Sequence, residues 1–120
     1  MKKTIFYSIL LISIACAETQ LSHTETAKIV VESFYKKENT NLKKHTTPES
    51  YESFISVQNM LASTDAGTSN FTVIKETNNG RTAWVKFSTA YEDKPETFKL
   101  ILEDGQWKVT EKGLKEKGPF

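Results

Sequence analysis

The side chains that could carry acid–base or metal chemistry in this sequence are few and lie far apart. The 120 residues include two histidines, His23 and His45, and one cysteine, Cys16. His23 falls at the start of the first predicted helix and His45 beside the start of the second, and both positions favour an exposed surface histidine. A zinc site needs several ligands close together, so these residues predict no metal site and no cofactor.

The carboxylates do not form a catalytic pattern either. Asp65, Glu92, Asp93 and Asp104 fall in predicted turns, where acidic residues are favoured because their side chains bond to the turn backbone. No carboxylate falls on a predicted inward position of a strand. A glycine-rich phosphate loop and a Ser-His-Asp arrangement are also missing from the sequence. These observations predict no catalytic residue and favour binding over catalysis.

Five large aromatic residues are the candidates for contact with a ligand or a partner: Tyr35, Tyr51, Trp84, Tyr91 and Trp107. Tyr35, Tyr51 and Trp107 lie on core-facing registers, and aromatic side chains supply much of the buried area of a small domain. Trp84 is out of phase with the apolar residues of its own strand. It is therefore predicted to face the other side of the sheet, where an exposed tryptophan is a candidate contact.

Two amphipathic helices are predicted before residue 64. A Ser-His-Thr-Glu capping box begins at Ser22, and the apolar residues that follow at helical spacing predict a helix over 23–38. A threonine–proline pair at Thr47 predicts a second helix that runs to about residue 63. Its apolar face is predicted to comprise Tyr51, Phe54, Ile55, Gln58, Leu61 and Ala62. The polar segment 39–46 between them has room for a single helical turn.

From Phe71 onwards the apolar residues recur at a period of 2, which predicts strands. Turn signals at 78–80, 92–95 and 104–105 divide this part into four short strands. Phe98 is the first inward residue of the third predicted strand. Because the connections are short, the strands should form an antiparallel meander.

Helices followed by such a meander predict one α+β domain over 23–111, with the helices packed on one face of the sheet. A flexible tail is expected over 112–120, since that segment has little apolar content.

The first fifteen residues have the order of a signal peptide. Lys2 and Lys3 precede an apolar run over 5–15, which is shorter than the roughly 20 residues that a spanning helix needs. The Ser-Ile-Ala-Cys sequence that ends at Cys16 resembles the lipobox of bacterial lipoproteins. That resemblance implies cleavage before Cys16, a lipid on the cysteine as membrane anchor, and a tether over 16–22.

An alternative cleavage site follows from the Ala-Cys-Ala sequence at 15–17. Cleavage before Glu18 would remove the cysteine and give a soluble periplasmic or secreted protein. The anchored form is preferred because Cys16 is the single cysteine, and an acylation site explains a lone thiol at the end of an export signal.

The charge of the mature chain argues against nucleic acid as a partner. Removal of Lys2 and Lys3 from the 16 basic residues leaves 14, against 15 acidic residues. A domain with almost no net charge has no general attraction for a polyanion.

Several segments resemble nuclear transport factor 2-like domains: Val30-Val31 with Phe34-Tyr35 in the first helix, Thr47-Pro48-Glu49, and the closing hairpin over 100–109. More narrowly, the chain is similar to small bacterial envelope lipoproteins with a lumazine-binding-like version of that fold. The resemblance implies a curved sheet that closes over the helices to form a conical cavity. Ketosteroid isomerase and scytalone dehydratase use that cavity for catalysis, whereas other relatives only bind ligands or partners.

The sequence thus predicts an exported, lipid-anchored envelope domain that binds a small apolar ligand or a protein partner without catalysis. One alternative is an isomerase or lyase, for which a buried ionisable group with a shifted pKa is expected inside the cone. Another is a structural subunit of an envelope complex. The oligomeric state is left open, and a dimer is compatible with the sequence.

Overall fold

The computed structural model describes residues 20–61, 67–110 and 116–120. The predicted signal peptide, Cys16, Asp65 and most of the tether lie outside the described residues. Within them, helices are followed by a four-stranded antiparallel sheet, which confirms the predicted α+β class. None of the helices described is long and apolar enough to cross a membrane.

The three helices are α1 (His23–Lys36), α2 (Asn39–Lys44) and α3 (Pro48–Met60). The predicted capping box begins α1, because the Ser22 hydroxyl accepts from the amide of Glu25 at 3.1 Å and the Glu25 carboxylate accepts from the amide of Ser22 at 2.9 Å. The apolar stripe of α1 is buried at Ala27, Val30, Val31 and Phe34. The short α2 buries its one leucine, Leu42.

The start of α3 is also as predicted, since Thr47 caps it and Pro48 occupies its first turn. The helix packs less deeply than α1, because its apolar residues Tyr51, Phe54 and Ile55 are only partly buried against the core. Ser50 and Gln58 are its buried polar residues. The Gln58 amide donates to the carbonyl of Phe34 at 2.8 Å and to Oδ1 of Asn39 at 3.0 Å. That side chain joins α3 to the end of α1.

The four strands are β1 (Thr72–Asn78), β2 (Thr82–Ser88), β3 (Glu96–Glu103) and β4 (Gln106–Thr110), in the spatial order of the chain. The predicted turns at 78–80 and 104–105 connect them, and Asp104 and Gly105 both have positive φ, as a two-residue hairpin turn requires. Ala83, Val85 and Phe87 of β2 alternate with half-buried residues. This register confirms that Trp84 faces away from the helices.

The third strand differs from the prediction at its beginning. It starts at Glu96, two residues before Phe98, and Glu96 pairs with the inward-facing Phe87 of β2. Side chains two residues apart lie on the same face of a strand, so Glu96 shares the inward face of Phe98. The expectation that no carboxylate occupies an inward strand position is therefore wrong.

One edge of the sheet is covered by another segment of the chain, and the other edge is exposed. The segment between α2 and α3 covers β4, where the amide of Thr47 donates to the carbonyl of Val109 at 3.1 Å and the amide of Val109 donates to the carbonyl of His45 at 2.9 Å. The strand β1 forms the other edge and is exposed along its whole length. A bulge between Val73 and Lys75 interrupts its register, which is a common way to blunt an edge.

On the outer face of the sheet, the end of the chain approaches Trp84. The Lys99 ammonium lies 5.7 Å from the ring centroid of Trp84 and 2.8 Å from the Glu116 carboxylate. A methyl group added at Gly118 would lie 3.2 Å from the same ring. Trp84 is consequently half-buried beneath described tail residues rather than freely exposed.

Candidate functional site

An apolar cavity of about 440 Å³ opens between α1, α3 and β3. Its described lining comprises seven apolar or aromatic residues, one serine and two glutamates: Val31, Phe34, Tyr35, Ser53, Phe54, Val57, Leu61, Glu92, Glu96 and Phe98. The cavity exists because α3 lies over the sheet without inserting its side chains fully into the core. Cavities of this size and composition are typical of sites for small ligands.

Three phenylalanines form an edge-to-face series along the wall of the cavity. The ring of Phe54 lies 5.8 Å from that of Phe34 and 6.0 Å from that of Phe98, centroid to centroid. Phe98 in turn contacts the fully buried Phe87 at 4.9 Å. These contacts fix one wall of the cavity to the core, so that wall is largely preformed.

The polar end of the cavity is formed by Tyr35 and two glutamates. The hydroxyl of Tyr35 donates to Oε2 of Glu92 at 2.8 Å. Burial raises the pKa of Tyr35 above its usual range, and the hydrogen bond to Glu92 and the charges of Glu96, Glu92 and Tyr91 raise it further. The phenol therefore stays protonated and serves as a hydrogen-bond donor to Glu92.

Glu96 is the chemically unusual residue of the site. Its Oε2 atom is buried and has no hydrogen-bond partner among the residues that the structure describes. Burial raises the pKa of the Glu96 carboxyl, and the nearby charge of Glu92 adds to the effect. A carboxyl group in this environment resists ionisation until a donor or a cation reaches it.

Tyr91 lies beside Tyr35 at the polar end, and two further acidic residues act on it electrostatically. The ring of Tyr91 lies 4.4 Å from that of Tyr35, and its hydroxyl donates to the carbonyl of Gly67 at 3.1 Å. Burial raises the pKa of Tyr91, with further contributions from the charges of Glu32 and Glu38. The fold therefore brings two of the five predicted aromatic contacts, Tyr35 and Tyr91, together at the acidic end of the cavity.

The other three predicted contact residues lie elsewhere. Tyr51 lies beside Asn39, with the Lys43 ammonium 5.8 Å from its ring, and Trp84 lies on the outer face of the sheet. Trp107 is buried, and its ring lies 5.6 Å from that of His23.

The two histidines are separated from the cavity and have structural partners. His23 pairs through Nε2 with the Glu76 carboxylate. His45 donates from Nδ1 to the carbonyl of Asn41 at 2.9 Å, which is a local contact at the end of α2. Among the described residues, no group of three or more histidine, cysteine, aspartate or glutamate side chains is placed to hold a metal ion.

The sequence signals did not identify Glu96 as a site residue, and they assigned Glu92 to a turn for backbone reasons alone. One signal was present for Glu96, because extending the alternation of Phe98 backwards by two residues places Glu96 on the inward face.

Comparison of the chain with protein-family models, with curated proteins and with solved structures gives no match.

Proposed function

We propose that this protein binds a small, mainly apolar molecule in the cavity between α1, α3 and β3, without catalysis. The observation that supports this function is the cavity itself, which has about 440 Å³ of space and a lining that is apolar over most of its surface. Its two carboxyl groups and the Tyr35 hydroxyl lie together at one end, an arrangement that fixes the orientation of a ligand. In this proposal the sheet and helices form the cone of a nuclear transport factor 2-like domain.

The proposal includes an address at a bacterial membrane. The basic start, the apolar run over 5–15 and the lipobox-like sequence before Cys16 support export and lipid anchoring. Mass spectrometry of the protein purified from its host tests this part. A denatured chain that begins at Cys16 and carries acyl chains is expected, whereas a chain that begins at Glu18 would exclude the anchor. An additional mass seen only under native conditions would report a bound ligand.

Obstruction of the cavity mouth should weaken ligand binding without unfolding the protein. Val57 lines the cavity and has 48% of its surface exposed, so tryptophan at this position can be accommodated at little cost to stability. We expect Val57→Trp to weaken the binding of 1-octanol, a neutral probe, at least about tenfold because the larger ring occupies the space of the ligand. Isothermal titration calorimetry measures the dissociation constant.

The matched control is Val73→Trp, which places the same side chain on β1, away from the cavity, at a position that is 38% exposed. This variant should bind 1-octanol like the unaltered protein. Equal affinity of the two tryptophan variants would show that octanol binds outside the cavity and would contradict the proposal.

Glu96 supports a second candidate, an isomerase or lyase that moves a proton. A carboxyl group whose pKa is raised by burial is the kind of general base that such reactions use, and the Tyr35 hydroxyl lies at the same end of the cavity. Nuclear magnetic resonance can follow deuterium exchange next to the carbonyl of 2-octanone. Exchange that the protein accelerates and that Glu96→Gln abolishes would favour the enzyme, whereas exchange at the rate of buffer favours the binding function.

A further inference from the structure

The lining of the cavity is asymmetric in charge. Both of its ionisable carboxyl groups, Glu92 and Glu96, lie at the end where Tyr35 is found, and the remaining described lining is apolar apart from Ser53. No lysine, arginine or histidine belongs to that lining. The two carboxyl groups therefore have no basic side chain opposite them within the described cavity wall.

The two glutamates differ in their hydrogen bonds, and the difference indicates that Glu96 can accept a hydrogen bond from a ligand. Glu92 accepts a hydrogen bond from the Tyr35 hydroxyl, so part of its capacity is used. The buried Oε2 atom of Glu96 has no hydrogen-bond partner within residues 20–61, 67–110 and 116–120. A buried polar atom without a partner carries a free-energy cost that a bound donor removes.

The acidic character extends beyond the cavity wall. Glu32 and Glu38 act electrostatically on Tyr91, whose ring packs against that of Tyr35. Their negative charges lower the electrostatic energy of a cation near this end. An anionic ligand would meet the same charges without a basic partner, and a neutral alcohol could donate only one hydrogen bond.

We propose that the cavity selects a hydrophobic amine: its ammonium group binds between Glu92 and Glu96, and its hydrocarbon part contacts Phe34, Phe54 and Phe98. This inference rests on the proposed binding function and names the ligand class of the same site. An ammonium group has three donors, enough for both carboxylates and one further acceptor.

Three probes with the same chain and different head groups test the inference: octylammonium, 1-octanol and octanoate. At pH 7 we expect octylammonium to bind at least about tenfold more tightly than 1-octanol, because its hydrogen bonds to carboxylates are charge-assisted. Octanoate should bind most weakly of the three. Calorimetric dissociation constants for the purified protein give the ratios directly.

Glu96→Gln should reduce the octylammonium-to-octanol preference to within about twofold, since the amide retains the shape of the carboxylate but not its charge. Glu92→Gln should reduce the octylammonium preference partly, and it changes an exposed turn position that tolerates substitution. This variant tests the inference if Glu96→Gln does not fold. The matched control is Glu103→Gln, on β3 but on the face opposite to Glu96, which should keep the full preference.

The outcomes separate this inference from the proposed function. If 1-octanol or octanoate binds as tightly as octylammonium, the amine inference is wrong while the cavity remains a binding site. A preference for octylammonium that Glu96→Gln and Glu92→Gln both leave intact also overturns it. If none of the three probes binds in the cavity, the proposed function itself fails.

Discussion

Replacement of Phe87 by alanine is expected to lower the free energy of unfolding by about 3–5 kcal/mol, the usual range for a buried phenylalanine. Phe87 is fully buried at the inward face of β2. Its ring centroid lies 5.0 Å from that of Phe71 and 4.9 Å from that of Phe98. Alanine would leave a void among these rings, and the surrounding strands can close it only partly. Denaturation by urea measures the loss.

The size of this effect is large compared with the whole stability of a small domain, which is typically about 5–15 kcal/mol. The control is Ile74→Ala on β1, where the side chain is 45% exposed and the change should cost no more than about 0.5 kcal/mol. A loss below about 1 kcal/mol for Phe87→Ala would contradict the packing described for the core. Because Phe98 also lines the cavity, Phe87→Ala should loosen the cavity wall as well.

The secondary structure was largely predictable because local chemistry determines it. The capping box at Ser22 and the Thr47-Pro48 pair both begin helices where the sequence placed them. The change of apolar period after Phe71 correctly predicted four strands, and the Asp104-Gly105 turn connects the last two. The helix ends were less accurate, with α1 ending at Lys36 and α3 at Met60, since helix ends have weaker sequence signals.

The candidate site was less predictable because it depends on contacts between residues distant in the sequence. Tyr35 and Tyr91 were each identified as aromatic contacts, but no local pattern indicates that their rings lie 4.4 Å apart. Glu96 was missed because Pro95 precedes it and the third strand was predicted from its first apolar residue, Phe98. The cavity itself depends on how far α3 stands from the sheet, which is a property of tertiary packing.

Gln58 illustrates the same limit within a helix. It falls on the predicted apolar face of α3, and the structure buries it there. Its amide is bonded to the carbonyl of Phe34 and to Asn39, so the buried polar group is satisfied by the end of α1. The periodicity correctly predicted the burial of this position, whereas its partners became evident only from the packing of the two helices.

Glu96→Leu is expected to raise the free energy of unfolding at pH 7 by about 1–3 kcal/mol, the cost of leaving a buried polar atom without a partner. Among the described residues, the buried Oε2 atom of Glu96 has no such partner. Phe54 and Phe98 line the same cavity and offer apolar contacts to a leucine. The control is Glu103→Leu, on the opposite face of the same strand, which should change stability by no more than about 0.5 kcal/mol. Urea denaturation at several pH values measures both variants.

The gain from Glu96→Leu should depend on pH with a definite sign. The groups that face Glu96 are Glu92 from the β2–β3 connection and Tyr35 from α1, while α3 presents no titratable side chain to the described cavity. Burial raises the pKa of Glu96 in the folded protein above its value in the unfolded chain. The stability that the protonated Glu96 carboxyl contributes is therefore fully present below the unfolded pKa, about 4.3. That contribution is lost as the pH rises through the folded pKa.

The stability difference between Glu96→Leu and the unaltered protein should therefore be smallest in acid and grow towards neutral pH. A difference that is independent of pH, or that shrinks as the pH rises, would show that Glu96 is not the group that resists ionisation. Addition of octylammonium should narrow the difference at pH 7, because the cation stabilises the ionised carboxyl of the unaltered protein alone. Glu96 would then lower the stability of the protein when the cavity is empty, and a bound cation would remove that loss. This behaviour is typical of a residue that binds a ligand and not of one that only packs in the core.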